Sequence, residues 1–245
     1  MTLPHSLPPG QRRVDGFPRF GTHLDRPPPV VPIDPVIEIG GAVAPFALPL
    51  AELATLPRRE LTADFHCVAG WSATDLQWEG VPFETLYRMI IEPSVPPAMT
   101  ITHVVFEGLD RFRSVVSIED ALADDVLIAE RLNGRPLDGD HGAPARLVSP
   151  NQYGYVNTKH LARIEVHTVD SSVPLATATP FRRVTFRTRL LRRHPRARVW
   201  EEERHPDLPV WFVRPLYRLF IPPITFLSAR GSRRTPPPSE RPPEP

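Results

Sequence analysis

The sequence holds one cysteine, Cys67, and one lysine, Lys159, in 245 residues. A single thiol excludes an intramolecular disulfide and any zinc or iron–sulfur centre built from several cysteines. It also excludes a Cys-x-x-Cys-His haem attachment, so any redox chemistry needs a separate electron-transfer partner. Charge of one sign is lacking too: 29 basic and 28 acidic residues leave a net +1, which gives no global attraction to nucleic acid or to acidic partners. An uninterrupted apolar span is missing. Leu208–Leu227 has the length, but it carries Arg214, Arg218, Pro209, Pro215, Pro222 and Pro223, all costly in a bilayer helix. Met1-Thr-Leu-Pro-His5 has no charged region leading into an apolar one. Val14-Asp-Gly-Phe-Pro18 after Arg12-Arg13 is not apolar either, so the cytoplasm is the expected location.

Proline is what the chain has in excess, 33 residues, with runs at Pro27–Pro29, Pro236–Pro238 and Pro242-Pro243-Glu244-Pro245. Such runs favour extended, poorly packed chain. The expected division is a Pro-rich lead-in over 1–30, a folded core domain over 31–170, and over 171–245 an Arg-rich, then apolar arm with a disordered Pro-rich tail. Apolar residues at 41% and charged residues at 23% suit an ordinary globular core.

Inside the core, strands outnumber helices. Val36–Gly40, Leu61–Val68, Ala145–Ser149 and Ala162–Val169 read as strands. Ile101–Glu107 and Phe112–Val116 flank Gly108-Leu-Asp110 as a hairpin, and Val126–Leu132 and Arg135–Leu137 flank Asn133-Gly134, the strongest short hairpin signal present. Phe83, Leu86, Tyr87, Ile90 and Ile91 recur at helical spacing, predicting a short helix stopped by Pro93. Ser117-Ile-Glu-Asp120 has the capping pattern and predicts a helix through Ala123. Helices this short cannot cover a regular βαβ series, so the expected class is α+β with a mixed sheet and irregular Pro-rich termini.

The segment Asp64-Phe-His-Cys67-Val-Ala-Gly-Trp71-Ser72, followed by Trp78-Glu-Gly80-Val-Pro82, carries the chemistry. A lone cysteine is most often a small buried hydrophobe. Placed at a strand end beside a turn glycine, it could also give a soft thiolate to a metal already held by sulfur, although residue type alone favours the buried hydrophobe. A cysteine nucleophile with His66 as base is disfavoured, because adjacent strand residues face opposite ways. Downstream, His141-Gly-Ala-Pro144-Ala-Arg146-Leu-Val-Ser-Pro150 and Tyr153-Gly-Tyr155-Val-Asn157-Thr158-Lys159 place an arginine and the only lysine around a Gly-Tyr turn. By itself the stretch reads as a strand followed by a Gly-Tyr turn, with Arg146 and Lys159 solvated.

Together these segments resemble the sulfite-oxidase-like molybdopterin oxidoreductases, and most closely the branch containing bacterial methionine-sulfoxide reductase catalytic subunits. The resemblance spans about residues 15–167. It implies a molybdenum-molybdopterin cofactor with Cys67 as the metal ligand and catalytic residue. It further implies pterin and phosphate contacts from His141, Arg146, Asn157, Thr158 and Lys159. Phe17-Pro18-Arg19-Phe20-Gly21 resembles the family's N-terminal cofactor contact, with Asp15 where many members have asparagine, so Asp15, Pro18 and Arg19 are also implied binders. Thr102–Gly108 resembles the strand end that touches the pterin; with glycine replacing a hydroxyl residue, Gly108 is left a backbone contact.

Two departures bear on substrate. Sulfite oxidases place an arginine five residues after the cysteine and another in the Tyr-Gly turn, where this chain has Ser72 and Val156. A dianion without charge partners is costly to desolvate, so the expected reaction is oxygen-atom transfer on a neutral S- or N-oxide, ahead of sulfite. The small-molecule oxo-donor or acceptor is the expected partner. Two other classes compete: a molybdopterin-binding module without turnover, and a basic membrane- or nucleic-acid-binding protein using Arg182–Arg198. For 200–230, with Trp200, Trp211, Phe212, Tyr217 and Phe220, a membrane-surface contact and an arm packed across the domain are equally supported. Binding to nucleic acid is not expected.

Overall fold

A computed structural model of the chain describes residues 6–18, 27–169, 193–209, 211–215 and 219. Eleven strands and three short α-helices follow one another in it. They are β1 (Arg12–Arg13), β2 (Val36–Gly41), β3 (Phe46–Pro49), α1 (Leu50–Leu53), β4 (Arg59–His66), β5 (Trp71–Pro82), α2 (Phe83–Leu86), β6 (His103–Gly108), β7 (Arg113–Ser117), α3 (Ile118–Ala121), β8 (Leu127–Leu132), β9 (Arg135–Pro136), β10 (Arg146–Val148) and β11 (Leu161–His167). The class is α+β, and the strands form two sheets, each of them mixed.

The first sheet is organised around β5. On one side β4 pairs antiparallel with it from Arg59↔Gly80 to His66↔Ser72. On the other, β1 runs parallel to its first residues and β8 antiparallel to its last, with β9 and β10 beyond β8. The second sheet has the order β3-β2-β11-β6-β7, parallel only between β2 and β11. Alternation decides which faces are buried: in β2, Ile37 and Ile39 are fully inside while Val36 and Glu38 are exposed. The largest core cluster draws on both sheets, joining Ile37, Ile39, Phe106, Ile164 and Val166 to Val81, Ile128 and Leu147. Full burial of each such side chain contributes about 1.5–3 kcal/mol. A second cluster, Trp71, Ala73, Leu76, Trp78, Leu127, Ala129, Leu137 and Val148, has Phe17, Phe65 and Cys67 packed against it.

The predicted hairpins form as β6–β7 and β8–β9, the latter turning on Asn133 and Gly134 at φ +50° and +74°. The Ser117 hydroxyl caps α3 by accepting from the Asp120 N–H at 3.1 Å, although the helix ends at Ala121, not Ala123. Pro93 does not stop the second helix. The chain widens into a π-turn over Tyr87–Ile91 and then tightens into a 3₁₀ turn, Glu92–Ser94, with Pro93 in its first positions, where a missing N–H costs nothing. Strand β4 ends at His66, one residue before the cysteine. The twelve-residue β5 has no counterpart among the expected strands. Gly80 is there so that β8 can approach: a Cβ would lie 2.1 Å from the Ile128 carbonyl oxygen, at the bulge in the β5–β8 ladder.

Part of the arm packs on the domain. Residues 193–204 pack on the core, with Ala197 and Val199 fully buried. Trp200, Trp211 and Leu219 are exposed. Arg182–Arg192, Tyr217 and Phe220 lie outside the described residues, as do Arg19, Phe20, Gly21 and the C-terminal proline runs.

Candidate active site

Cys67 sits in the tight turn joining β4 to β5. Its N–H donates to the Trp71 carbonyl and its carbonyl accepts from the Gly70 N–H, both at 2.9 Å. Gly70 takes φ +94°, the left-handed region that the turn needs and glycine tolerates. Burial pushes the Cys67 thiol up to about 11, against weaker opposing pulls from a backbone hydrogen bond at Ala69 and from the charges of Arg204 and Arg193. A thiol so enclosed is protonated at neutral pH, is a poor nucleophile as it stands, and releases its proton when a metal takes the sulfur.

A directed chain of hydrogen bonds backs this turn. His66, held neutral by burial that draws its pKa down to about 4, contacts the Ser72 hydroxyl through Nδ1 at 2.7 Å. Ser72 Oγ donates to Gln11 Oε1 at 3.2 Å, and Gln11 Nε2 donates to the Cys67 carbonyl at 3.2 Å. Having spent its one proton on Gln11, the hydroxyl must accept from His66, which places the imidazole hydrogen on Nδ1. Gln11, which closes this chain of contacts, lies in the Pro-rich lead-in and belongs to none of the motifs.

The second half of the site is the loop between β9 and β11. Arg146, at the start of β10, is fully buried. It donates to the carbonyls of His141 (2.9 Å), Leu147 (3.4 Å) and Asn157 (3.4 Å), and its guanidinium lies 5.2–5.7 Å from the rings of Trp78, Phe65 and Phe17. It forms no ion pair among the described residues, and burial alone draws its pKa from 12.5 to about 9. A buried cation without a counter-charge is expensive. The Trp78 indole N–H beside it is buried and has no acceptor among the described residues. A cationic fork and an orphaned donor in one apolar enclosure fit an anionic, hydrogen-bond-accepting group such as a pterin phosphate.

The other expected residues fall unevenly around this point. His141 reaches the Phe17 carbonyl through Nε2 and Asp138 through Nδ1, at 2.9 and 2.7 Å, tying the lead-in to the loop. Lys159 donates to the Asp140 carbonyl at 2.5 Å. Gly142 lets Lys159 and Arg146 close in, since a Cβ there would be 3.1 and 3.2 Å from theirs. The Asn157 amide is spent on the Ser149 backbone and the Tyr153 carbonyl, and the Thr158 hydroxyl on Ser114, so both side chains shape the turn from inside. Gly108 packs against the Lys159 carbonyl, 2.3 Å from where a Cβ would be. Pro18 is half-buried beside Phe17, Asp15 is exposed, and Arg19 lies outside the described residues. Phe65 links the two halves, tilted against Phe17 at 4.8 Å and Trp71 at 5.7 Å two residues before the cysteine.

No helix among the described residues is long and apolar enough to cross a membrane. Comparison with known proteins gives the site its context. The Bacillus subtilis oxidoreductase YuiH is 31% identical over 121 residues, 49% of this chain and 59% of that protein. The mitochondrial sulfite oxidase of Drosophila melanogaster is 32% identical, covering 57% and 28%. The protein-methionine-sulfoxide reductase catalytic subunit MsrP of Gluconobacter oxydans is 28% identical, covering 55% and 47%. The chain thus spans between 28% and 59% of the length of these relatives. The model of the oxidoreductase molybdopterin binding domain matches residues 27–174, which include the cysteine turn and the Arg146 loop. The chain therefore belongs to the oxidoreductase molybdopterin binding domain family, whose cofactor is molybdenum-molybdopterin.

Proposed function

We propose that the chain is the catalytic subunit of an oxygen-atom-transfer enzyme acting on a neutral S- or N-oxide, with electrons from a separate partner. The observation that carries this reading is the pairing of the Cys67 turn with a fully buried, uncompensated Arg146 across one apolar cluster. Cys67 would give its thiolate to the metal, Arg146 and Lys159 would meet the phosphate, and His141 and Pro18 would close the lead-in over it. Asn157, Thr158, Gly108, Asp15 and Arg19 remain part of the proposed binding set, the first two through the turn they hold. When bound, the cofactor supplies two-electron oxygen-atom transfer. The net reaction with a sulfoxide consumes two electrons and two protons and yields sulfide and water. The catalytic unit is residues 31–170, and the cytoplasm is the proposed location, which cell fractionation tests.

Ser72 and Val156 are both buried, and Ser72 is committed to His66 and Gln11. Neither can hold a dianion, which supports the neutral substrate. One observation favours a second reading, an anionic oxo-substrate: Arg193 stacks on Tyr155 at 5.0 Å and its charge is felt at Cys67. Protein from a molybdopterin-competent host should hold near-stoichiometric molybdenum and oxidise a reduced dye in the presence of sulfoxide. Sulfite turnover exceeding sulfoxide turnover, and lost in Arg193→Ala, would establish the second reading instead, and protein without molybdenum would defeat both.

A further inference from the structure

The turn that presents Cys67 is short; within it the Ala69 backbone and the Trp71 side chain hydrogen-bond the thiol, and a metal ligand must be held still from outside as well. Two segments that lie outside the family-matched residues 27–174 reach it from opposite ends of the chain. From the lead-in, Gln11 donates to the Cys67 carbonyl, and the backbone N–H groups of Arg12 and Val14 pair with the carbonyls of Gly70 and Ser72. From the arm, Arg204 donates to the carbonyl of Val68, the residue after the cysteine, and to the Pro9 carbonyl at 3.3 Å. Arg204 is 2% exposed, its guanidinium lies 5.0 Å from the Tyr153 ring, and Glu202 is 3.8 Å away. Gly10 makes room: a Cβ there would come within 3.0 Å of both Glu202 and Arg204.

The arm is itself anchored at several points. The Tyr153 N–H donates to Ala197, the Val199 N–H to Asn151 and the Gln152 amide to Arg196, while Arg196 and Arg198 pair with Asp120. Arg204 is thus presented on a docked strand of chain, with one guanidinium bridging the lead-in and the cysteine turn. A fork with fixed donor directions suits two carbonyls from different segments; a lysine would reach one.

We propose that Arg204 is a positioning residue for the metal-ligating turn, clamping the Val68 carbonyl to the Pro9 carbonyl so that lead-in and arm together fix Cys67. The inference rests on Cys67 being the metal ligand for its purpose, but its geometry is testable without cofactor. In Arg204→Ala, amide hydrogen exchange at Cys67 and Gly70 in the cofactor-free protein rises about tenfold, as expected on losing a charge-assisted hydrogen bond. Arg204→Lys falls between the two. Arg198→Ala, which loosens the arm at Asp120 without touching the turn, leaves those amides within about twofold of wild type. In loaded protein, Arg204→Ala broadens the Mo(V) electron-paramagnetic-resonance signal and Arg198→Ala does not. Equal acceleration in both variants would make Arg204 merely part of a docked arm, and no acceleration in Arg204→Ala would remove the clamp altogether. Wild-type protein without molybdenum defeats the proposed function, yet the exchange comparison still decides the clamp.

Discussion

Replacing Arg146 by methionine separates a cation kept for a ligand from a cation kept for the fold. Burial lowers its pKa from 12.5 to about 9, and at ~1.4 kcal/mol per unit the charged form carries a burden of roughly 5 kcal/mol. Against this stand one good hydrogen bond, to the His141 carbonyl at 2.9 Å, and two long ones at 3.4 Å. Three rings surround it as well. Losing the good bond and leaving its carbonyl unpaired costs about 2–3 kcal/mol, with the long bonds and ring contacts adding about 1. Methionine has similar reach and no charge, so the cofactor-free variant should be about 1–2 kcal/mol more stable than wild type, as replacements of buried charge often are. For a chain of this size that raises Tm by about 2–8 °C. In protein produced with cofactor the order reverses, because a ligand that binds only the folded state adds RT ln(1 + [L]/Kd) and the variant cannot hold its phosphate. Differential scanning calorimetry of both proteins, each with and without cofactor, reads all four values. A cofactor-free Arg146→Met that melts well below wild type would refute the reasoning, since the guanidinium would then be structural.

Further outcomes follow from neighbouring contacts. Cys67→Ser should lose bound molybdenum by elemental analysis while its circular dichroism and melting temperature stay near wild type, because serine fills the half-buried turn but gives the metal no thiolate; retained molybdenum would place the ligand elsewhere. Burial pushes the Asp120 carboxyl up, but hydrogen bonds from Arg198, Ser117 and Arg196 outweigh it and hold the group below its ordinary value of 3.8. The folded state therefore binds that proton less readily than the unfolded one, so the contribution is complete above about pH 5 and fades as pH falls through 3.8 and below. Asp120→Asn should accordingly flatten the acid limb of a Tm–pH curve, and an unchanged limb would show that the pair carries no pH dependence. Gly154→Ala should cost about 1–3 kcal/mol in urea unfolding, because its Cβ would sit 2.1 Å from Phe65 Cζ and displace the β4 ring that lies against Arg146. A neutral result would mean that Phe65 swings aside freely.

The parts of the fold that could be read directly were those with local physics behind them. Asn133-Gly134 is a hairpin because both residues accept positive φ, and Ser117 starts a helix because its hydroxyl meets the Asp120 N–H. Strand β5 alternates between Asp75 and Gly80, with Leu76, Trp78 and Gly80 buried, but its full twelve residues depend on what pairs with it. Its flanks are filled by β4 on one side and by β1 and β8 on the other, and a glycine that looks like a breaker is where β8 comes closest. The same distinction holds at the site. Cys67, Arg146 and Lys159 stood out by rarity and motif. Gln11 and Arg204 did not, because a glutamine in a Pro-rich lead-in and one arginine among many carry no local signal.

A ligating turn cannot be rigid on its own account. Residues 67–70 are held by two internal backbone hydrogen bonds, and the sulfur by hydrogen bonds from the Ala69 backbone and the Trp71 side chain. Further donors to the carbonyls of Cys67 and Val68 come from residues 11 and 204, far apart in the chain. Loop closure between such distant residues costs only a logarithm of their separation, and the arm defrays it through buried Ala197 and Val199 and the Asp120 ion pairs. A lead-in and an arm that resemble linkers in composition therefore meet at the turn that carries Cys67.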